Sequence, residues 1–298
     1  MAQATLPPES TVPPSSPSSS SPPSPSSSII VKGIFTIPDP TFRASISTHT
    51  PLLFEPATHE PYLPLPAPFE RFRLTPNRES DAVDITEMMN DAKVAYWMGN
   101  HPFPFPADRA SGWIRGELEL TREVFEGFRK GEWVPAKGSP LKVIRETVAV
   151  GGRGQGEVDG DTTHDRRDVY VGDVDFRHAH WWTERLTPVK EGWEGWRDRE
   201  RIWSIGAALK SSYHNQGIGS AALLLLFTQW GIPQIGATEV RAETFASNVG
   251  SNRIWEKLGF VLHEHGEGSG SVRVVPKEKF GGEEDREEEE RVWVWSLP

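Results

Sequence analysis

The sequence predicts an α+β fold, and three observations carry the prediction. Apolar runs of strand length stand at 141–150, 170–176, 202–209, 239–245, 260–265 and 292–297. Among them lie stretches whose apolar residues recur at three and four positions, at 80–89, beyond Asp108, at 220–230 and at 248–258. In the second half of the chain a strand, a glycine turn and a helix follow one another closely. Apolar 202–209 leads to Tyr213-His214-Asn215-Gln216-Gly217-Ile218-Gly219-Ser220 and then to a strongly helical run ending at Trp230.

In chain order, residues 1–28 contain neither a basic nor an apolar leader pattern, and from Pro13 to Ser28 only proline and serine occur. Such a segment cannot bury enough surface to offset its ordering entropy, so 1–28 reads as a disordered tail. Residues 29–68 stay proline-rich with short apolar pieces such as Ile29-Ile30-Val31, and are expected to drape over a domain spanning 69–298. Residues 71–74 read as its first strand, and 80–89 as a helix with Ala82, Ile85 and Met89 on one stripe. Asp108 is expected to cap a second helix whose apolar face is Ile114, Leu118, Phe125 and Phe128.

Three loop insertions are expected, at 151–168, 178–200 and 266–290. The first carries Gly151-Gly152-Arg153-Gly154-Gln155-Gly156, which precedes no helix and therefore reads as a hairpin loop, not a phosphate site. The second carries Trp181, Trp182, Trp193 and Trp196, which either roof a cleft or pack onto the domain. The third includes the acidic run 283–290, read as a solvated loop.

Composition removes several classes of function. With 36% hydrophobic residues and 12 Trp the chain is globular, and no apolar run approaches the roughly 20 residues of a membrane span. The absence of cysteine excludes disulfides, a cysteine-ligated zinc site and an acyl-enzyme on a thiol. A net charge of −10 argues against a nucleic-acid partner and favours a basic one. His178 and His180 have no clear third ligand, so no metal is expected. The expected compartment is cytoplasmic, with the nucleus left open because no basic cluster stands out.

Residues 213–220 carry the strongest chemical signal. A strand, a turn and a helix start aim free backbone N–H groups and the positive end of a helix at one point, as a pyrophosphate needs. Two glycines before a helix also suit any tight turn, so the octapeptide alone leaves a structural reading open. Further on stands Asn248-Val249-Gly250-Ser251-Asn252-Arg253-Ile254-Trp255-Glu256-Lys257-Leu258-Gly259-Phe260. It reads as a helix capped by Asn248 and stopped by Gly259, with Ser251, Ile254, Trp255 and Leu258 on one face.

Together these segments resemble the acetyl-CoA core of the GNAT superfamily of N-acetyltransferases. Residues 213–219 resemble its pyrophosphate loop, Arg/Gln-x-x-Gly-x-Gly/Ala, and residues 248–260 resemble its Asn-x-x-Ala/Ser helix ending in Glu-Lys-Leu-Gly-Phe. Residues 72–76, 89–99 and the Pro-Phe-Pro-Phe-Pro run at 102–106 resemble the opening of the RimJ/RimL group, which acetylates ribosomal-protein N-termini. The resemblance implies a mixed, mostly antiparallel central sheet with flanking helices, acetyl-CoA as acyl donor and no metal. It implies direct attack by a primary amine in a ternary complex, with a protein N-terminal amine as the expected acceptor. A small amine or polyamine acceptor, and a non-catalytic acyl-CoA sensor, are the alternatives.

The resemblance also assigns roles. Backbone N–H groups of Asn215, Gln216, Gly217, Ile218, Gly219 and Ser220 would bind the pyrophosphate. His214 stands where the family has Arg or Gln, exchanging a permanent cation or amide for a group with a pKa of about 6.5. The pantetheine arm would pair with the main chain of Ala207, Ala208 and Leu209, and one N–H there would polarise the thioester carbonyl. Many members place a tyrosine, as general acid, where this chain has Trp255, whose indole cannot supply a proton. Ser251, one turn earlier, is the candidate to hydrogen-bond the leaving sulfur, and Asn248 is a candidate cofactor contact. Glu243 is the candidate general base, with Asp173 and Asp175 as competitors. An α-amine, with a pKa of about 8, needs little help, whereas a lysine near 10.4 needs a base or a desolvated site.

Overall fold

The computed structural model describes residues 29–99, 101–133, 138–149, 166–178, 202–263 and 270–296. In chain order the elements begin with β1 (Ile29–Val31), β2 (Ile34–Thr36), α1 (Pro40–His49), β3 (Leu53–Phe54), β4 (Pro61–Pro64) and β5 (Phe72–Thr75). Then come α2 (Asp81–Asn90), α3 (Ala92–Ala95), α4 (Ala107–Arg129), β6 (Val143–Ala149), β7 (Arg166–His178), β8 (Ile202–Leu209) and α5 (Ile218–Leu226). β9 (Glu239–Phe245), α6 (Val249–Lys257), β10 (Val261–Leu262), β11 (Val272–Val275) and β12 (Arg286–Ser296) complete the order. The glycine-rich stretch 151–156 and the four tryptophans at 181–196 lie outside the described residues.

A ten-stranded sheet runs β10-β12-β9-β8-β7-β6-β5-β4-β3, with β11 also paired to β12. Among the described residues β8 and β9 are the parallel pair and the remaining pairings are antiparallel. The fold is therefore α+β with a mixed, mostly antiparallel sheet. α2 packs on α4 and on β7, α5 on β8 and β7, and α6 on β9. The stripe Ile114, Leu118, Phe125 and Phe128 of α4 is buried, as its three-and-four spacing requires. Among the described residues no helix is long and apolar enough to cross a membrane.

Three local expectations give way to the structure. α4 begins at Ala107, with Pro106 in the cap position and no side-chain cap bond. Proline supplies the extended backbone that precedes a helix, which leaves Asp108 inside the first turn, where its charge complements the helix dipole. Segment 29–68 does more than drape: β3 and β4 extend the sheet, and α1 buries Phe42 and Ile46 in the core. Asp39 caps α1 by accepting from the Thr41 and Phe42 N–H groups. Glu60, 1% exposed, takes two bonds from Arg78, whose guanidinium also reaches Asp168 of β7 at 2.6 Å, so a buried charge network ties the extension to the sheet.

The acidic run is the third correction. Residues 286–290 open β12, and the loop expected across 266–290 contains β11, which pairs with that part of β12 in register Val275 opposite Arg286 to Val272 opposite Glu289. In a strand successive side chains point to opposite faces, so a run of glutamates need not be solvated throughout. Glu288 is buried while Glu287 and Glu289 are exposed.

Candidate active site

β8 and β9 run side by side only through Ile202, Trp203 and Ser204, opposite Glu239, Val240 and Arg241. Beyond that point β8 stays paired with β7 and β9 with β12, so a wedge opens between them. The ladder fixes what the wedge contains. Lys210 N–H donates to the Val171 carbonyl at 2.9 Å, and residues along an antiparallel pair alternately bond their partner and face away. With Leu209 opposite Gly172 and Ala207 opposite Val174, the main-chain groups of Ala207 and Leu209 face the wedge while those of Ala208 face β7. His214 Nε2 lies 2.9 Å from the Leu209 carbonyl, which can only accept, so the ring donates there and ties the loop to the strand end.

After β8 a short 3-10 turn, Ser211–Tyr213, leads into the loop. Asn215 and Gly217 both have positive φ, of 60° and 80°. Gly217 occupies the cap position of α5 and offers no side-chain bond, so the N–H groups of Ile218, Gly219 and Ser220 have no acceptor within the helix. These donors project from the positive end of the helix dipole. Each glycine also makes room: a Cβ on Gly217 would sit 3.2 Å from the Phe69 ring, and one on Gly219 3.3 Å from the Leu209 side chain. The Gln216 side chain turns back to the Ser212 carbonyl at 2.9 Å. The Tyr213 hydroxyl donates to Glu146 at 2.8 Å, and burial, then Glu146, push it up to about 12.

On the other side of the wedge stands α6. The Asn248 side chain accepts from the Ser251 N–H at 3.0 Å, a cap bond. At the far end Gly259, at φ 79°, bonds back to Glu256 and Phe260 N–H reaches the Trp255 carbonyl at 3.0 Å, the paired bonds of a Schellman stop. Trp255 is 3% exposed and packs on Phe260 with ring centroids 5.3 Å apart, so it is a core residue as well as a wall of the site. Its indole N–H has no partner among the described residues. The Ser251 hydroxyl makes no hydrogen bond among the described residues.

The wedge opens into a cavity of about 780 Å³ that brings together Ala207, Glu243, Asn248 and Ser251 of the predicted residues, while Leu209, His214 and 215–220 are not in its lining. Gly206, Ala207 and Ala208 of β8, Glu243 and Thr244 of β9, and Asn248, Ser251 and Trp255 line it, together with Asp173, Val174, Asp175 and Arg177 of β7. The three carboxylates differ. Burial would raise Asp175, but Lys142, 2.6 Å away, and Arg177 outweigh it and hold the carboxyl below its ordinary value. Asp173 has both oxygens shut off from solvent and neither in a hydrogen bond, and burial pushes it up to about 7. Arg145 opposes that rise, while Asp81 and Glu117 add to it. Glu243 is exposed at the cavity's edge.

The remaining wall comes from α2 and the α3–α4 segment, namely Met88, Met89, Trp97, Met98, His101, Arg109, Gly112 and Trp113. His101 stacks on Trp113, and burial, then the charges of Arg109 and Lys279, bring it down to about 4, so it is a neutral ring at pH 7. The sequence quotes Trp97 and Met98 within a family-like segment but shows nothing that aims them at the wedge. Gly99, Phe245, Arg273 and Glu290 extend this wall into a side pocket of about 180 Å³. Among the described residues no group of three or more His, Asp or Glu is arranged to hold a metal ion.

A parallel strand pair that splays beside a helix start, with a capped second helix beside the wedge, is the arrangement that the resemblance to an acetyl-CoA-binding core implies. The acetyltransferase (GNAT) domain matches residues 71–261, and the chain belongs to that family. No curated protein sequence matches it significantly. Among solved structures, one similar chain is a Salmonella typhimurium acetyl transferase that modifies the N-terminal serine of 50S ribosomal subunit protein L7/L12. It shows 14% identity and a TM-score of 0.46, over 80% of this chain and 99% of the other. The ribosomal-protein-S5-alanine acetyltransferase from Vibrio fischeri shows 17% identity and a TM-score of 0.44, over 76% and 94%. The microcin C7 self-immunity acetyltransferase MccE, bound to acetyl-CoA and AMP, shows 13% identity and a TM-score of 0.43, over 76% and 93%. At such values none of these likenesses bears on substrate or mechanism.

Proposed function

We propose that the protein is an acetyl-CoA-dependent N-acetyltransferase of the RimJ/RimL type that acetylates a protein N-terminal amine by direct attack in a ternary complex. The observation that carries the reading is the wedge. The start of α5, with Gly219 against the Leu209 side chain, stands at the end of the strand whose Ala207 lines the cavity with Glu243, Asn248 and Ser251. In this reading the pyrophosphate of acetyl-CoA lies on the N–H groups of residues 215–220, and its pantetheine arm runs along Ala207 and Leu209. His214 holds the strand end that the arm passes, and Asn248 fixes the start of α6 beside it.

The reaction forms a C–N bond and breaks the C–S bond of the thioester. An N–H of Ala207 or Leu209 donates to the carbonyl oxygen as charge develops on it, the kind of donor whose loss costs about 10²- to 10³-fold in other enzymes. Ser251 donates its hydroxyl hydrogen bond to the leaving sulfur. The amine proton passes to Glu243 or to Asp173, and the thiolate leaves protonated from solvent or from that carboxylate. Asp175 is excluded as the base because its ion pairs hold it ionised but poorly basic.

The test is thiol release from acetyl-CoA across N-terminal peptides, lysine peptides and polyamines, with acetyl-CoA binding measured by calorimetry on the same sample. Release with N-terminal peptides alone supports the reading. Release with polyamines moves the acceptor to a small amine, binding without release makes the chain an acyl-CoA sensor, and no binding removes the proposal.

A further inference from the structure

The acidic run at the start of β12 has no part in that reaction, yet one of its carboxylates stands apart. Glu288 is 6% exposed between two exposed glutamates. Its Oε1 accepts from the Tyr96 hydroxyl and its Oε2 from the Ser247 hydroxyl, the latter at 2.5 Å. Arg286 Nη1 donates to the Tyr96 oxygen at 3.1 Å. Burial, then the Glu288 carboxylate, hold the Tyr96 hydroxyl above its ordinary range, so it remains a donor.

The two partners lead into two different parts of the cavity lining. Tyr96 directly precedes Trp97 and Met98, which line the α3–α4 wall, and Ser247 directly precedes Asn248, which caps the helix carrying Ser251. The same hairpin takes a second hold on the first wall: Lys279, 2% exposed, donates to the Met98 and Gly99 carbonyls at 2.7 and 3.3 Å. The amides of the wall are themselves hydrogen-bonded, Trp97 N–H to Val94 and Met98 N–H to Ala95, so their opening is measurable by hydrogen exchange.

We infer that Glu288 is a positioning residue that couples the two walls, so that ordering the start of α6 by the acyl donor also orders Trp97 and Met98 for the acceptor. The inference rests on the acetyl-CoA reading above. A carboxylate accepts only, and its two oxygens are fixed in one plane, so neither hydroxyl can move without drawing on the other. A bond that merely supports the fold would hold residues 96–99 equally with and without acetyl-CoA.

The experiment is hydrogen exchange on the full chain with and without acetyl-CoA, for the native protein, Glu288→Gln and Tyr96→Phe. Acetyl-CoA should slow the amides of 215–220 in all three. In the native protein it should also slow 96–99 by about fivefold, the low end of measured couplings between sites, and both variants should lose that second effect. Tyr96→Phe cuts one link and leaves Glu288 joined to Ser247, so it decides the matter if Glu288→Gln does not fold. Equal slowing at 96–99 in the variants, or none there in the native protein while 215–220 is protected, overturns the coupling alone. No slowing at 215–220 overturns the acetyl-CoA reading and the coupling with it.

Discussion

The two walls of the cavity are made by different means. On the side proposed for the acyl donor the groups that matter are main-chain atoms fixed by neighbours in sequence: Leu209 by His214, Gly217 by Ala221, Ser251 by Asn248. On the side proposed for the acceptor they are held from far along the chain, the Tyr96 hydroxyl by Glu288, 192 positions away, and the Met98 carbonyl by Lys279, 181 positions away. A wall of backbone donors needs only a turn, a cap and a strand end, each with a local residue signature. A wall of aromatic and thioether side chains needs the whole fold to exist first.

On that contrast, the change most damaging to acyl-donor binding lies in the backbone of the donor side. Gly217→Val puts a β-branched residue at φ 80° and a Cβ 3.2 Å from the Phe69 ring. The left-handed conformation alone costs such a residue about 1–2 kcal/mol, so the loop must rebuild and the N–H groups of 218–220 lose their common aim. Acetyl-CoA affinity should fall by tenfold or more, roughly the 1.4 kcal/mol per decade that the strain supplies. Calorimetry that returned native affinity would break the comparison, because the donor wall would then not depend on its backbone.

Ser251→Ala sharpens it. This hydroxyl is the donor-side side chain proposed to meet the leaving sulfur, and its loss leaves the cap bond intact because Asn248 is held by the Ser251 backbone N–H. Turnover should drop by about 10²-fold, the lower range for a lost hydrogen-bond donor to developing charge, with acetyl-CoA affinity unchanged. A fall in affinity with turnover kept would make Ser251 a binding residue only.

The same division explains what could be read in advance. The strand–turn–helix order, the Gly217 turn, the Asn248 cap and the Gly259 stop were legible because each is a short-range event. The extension 29–68 was not, since α1 depends on Asp39 ahead of a proline and β3 and β4 gain stability only by joining a sheet. The run 286–290 misled for a related reason: its two-residue period is visible only once β11 has paired with it. Asp173 and Asp175 look alike in the sequence. Only Lys142 and Arg177, beside one and not the other, separate an ion-paired carboxylate from an unpartnered one.

That separation has a pH signature between the two walls. Asp173 is raised from 3.8 to about 7 by burial, so the folded protein keeps a proton that the unfolded chain loses across this window. Stability therefore falls as pH rises from 3.8 towards 7 and is level above it. Asp173→Asn removes the effect, so its melting temperature should gain on the native protein with rising pH. The gain should reach about ten degrees at pH 8, what roughly 4 kcal/mol gives a chain of this size. A parallel pair of melting curves from pH 4 to 8 would show that Asp173 is not strained. If the kcat/KM profile also loses a rise near pH 7, Asp173 takes the amine proton; if Glu243→Gln loses it instead, Glu243 does.

The smallest effects should come from the acidic run itself, outside Glu288. Glu287 and Glu289 are exposed, and surface substitutions without partners stay within about 0.5 kcal/mol. Glu287→Gln and Glu289→Gln should therefore melt within about 2 °C of the native protein, given about 2–4 °C per kcal/mol for a domain this large. Glu288→Ala should melt clearly lower, because it leaves the buried Tyr96 hydroxyl without its carboxylate and Ser247 without its acceptor. Removing one carboxylate at each of three adjacent positions thus separates the alternation of the strand from the charge of the run. If all three variants melt alike, net repulsion along the run governs it and the strand's two faces are irrelevant. If only Glu288→Ala falls, the acceptor wall owes its anchor to register, the feature of a β-strand least visible before its partner is known.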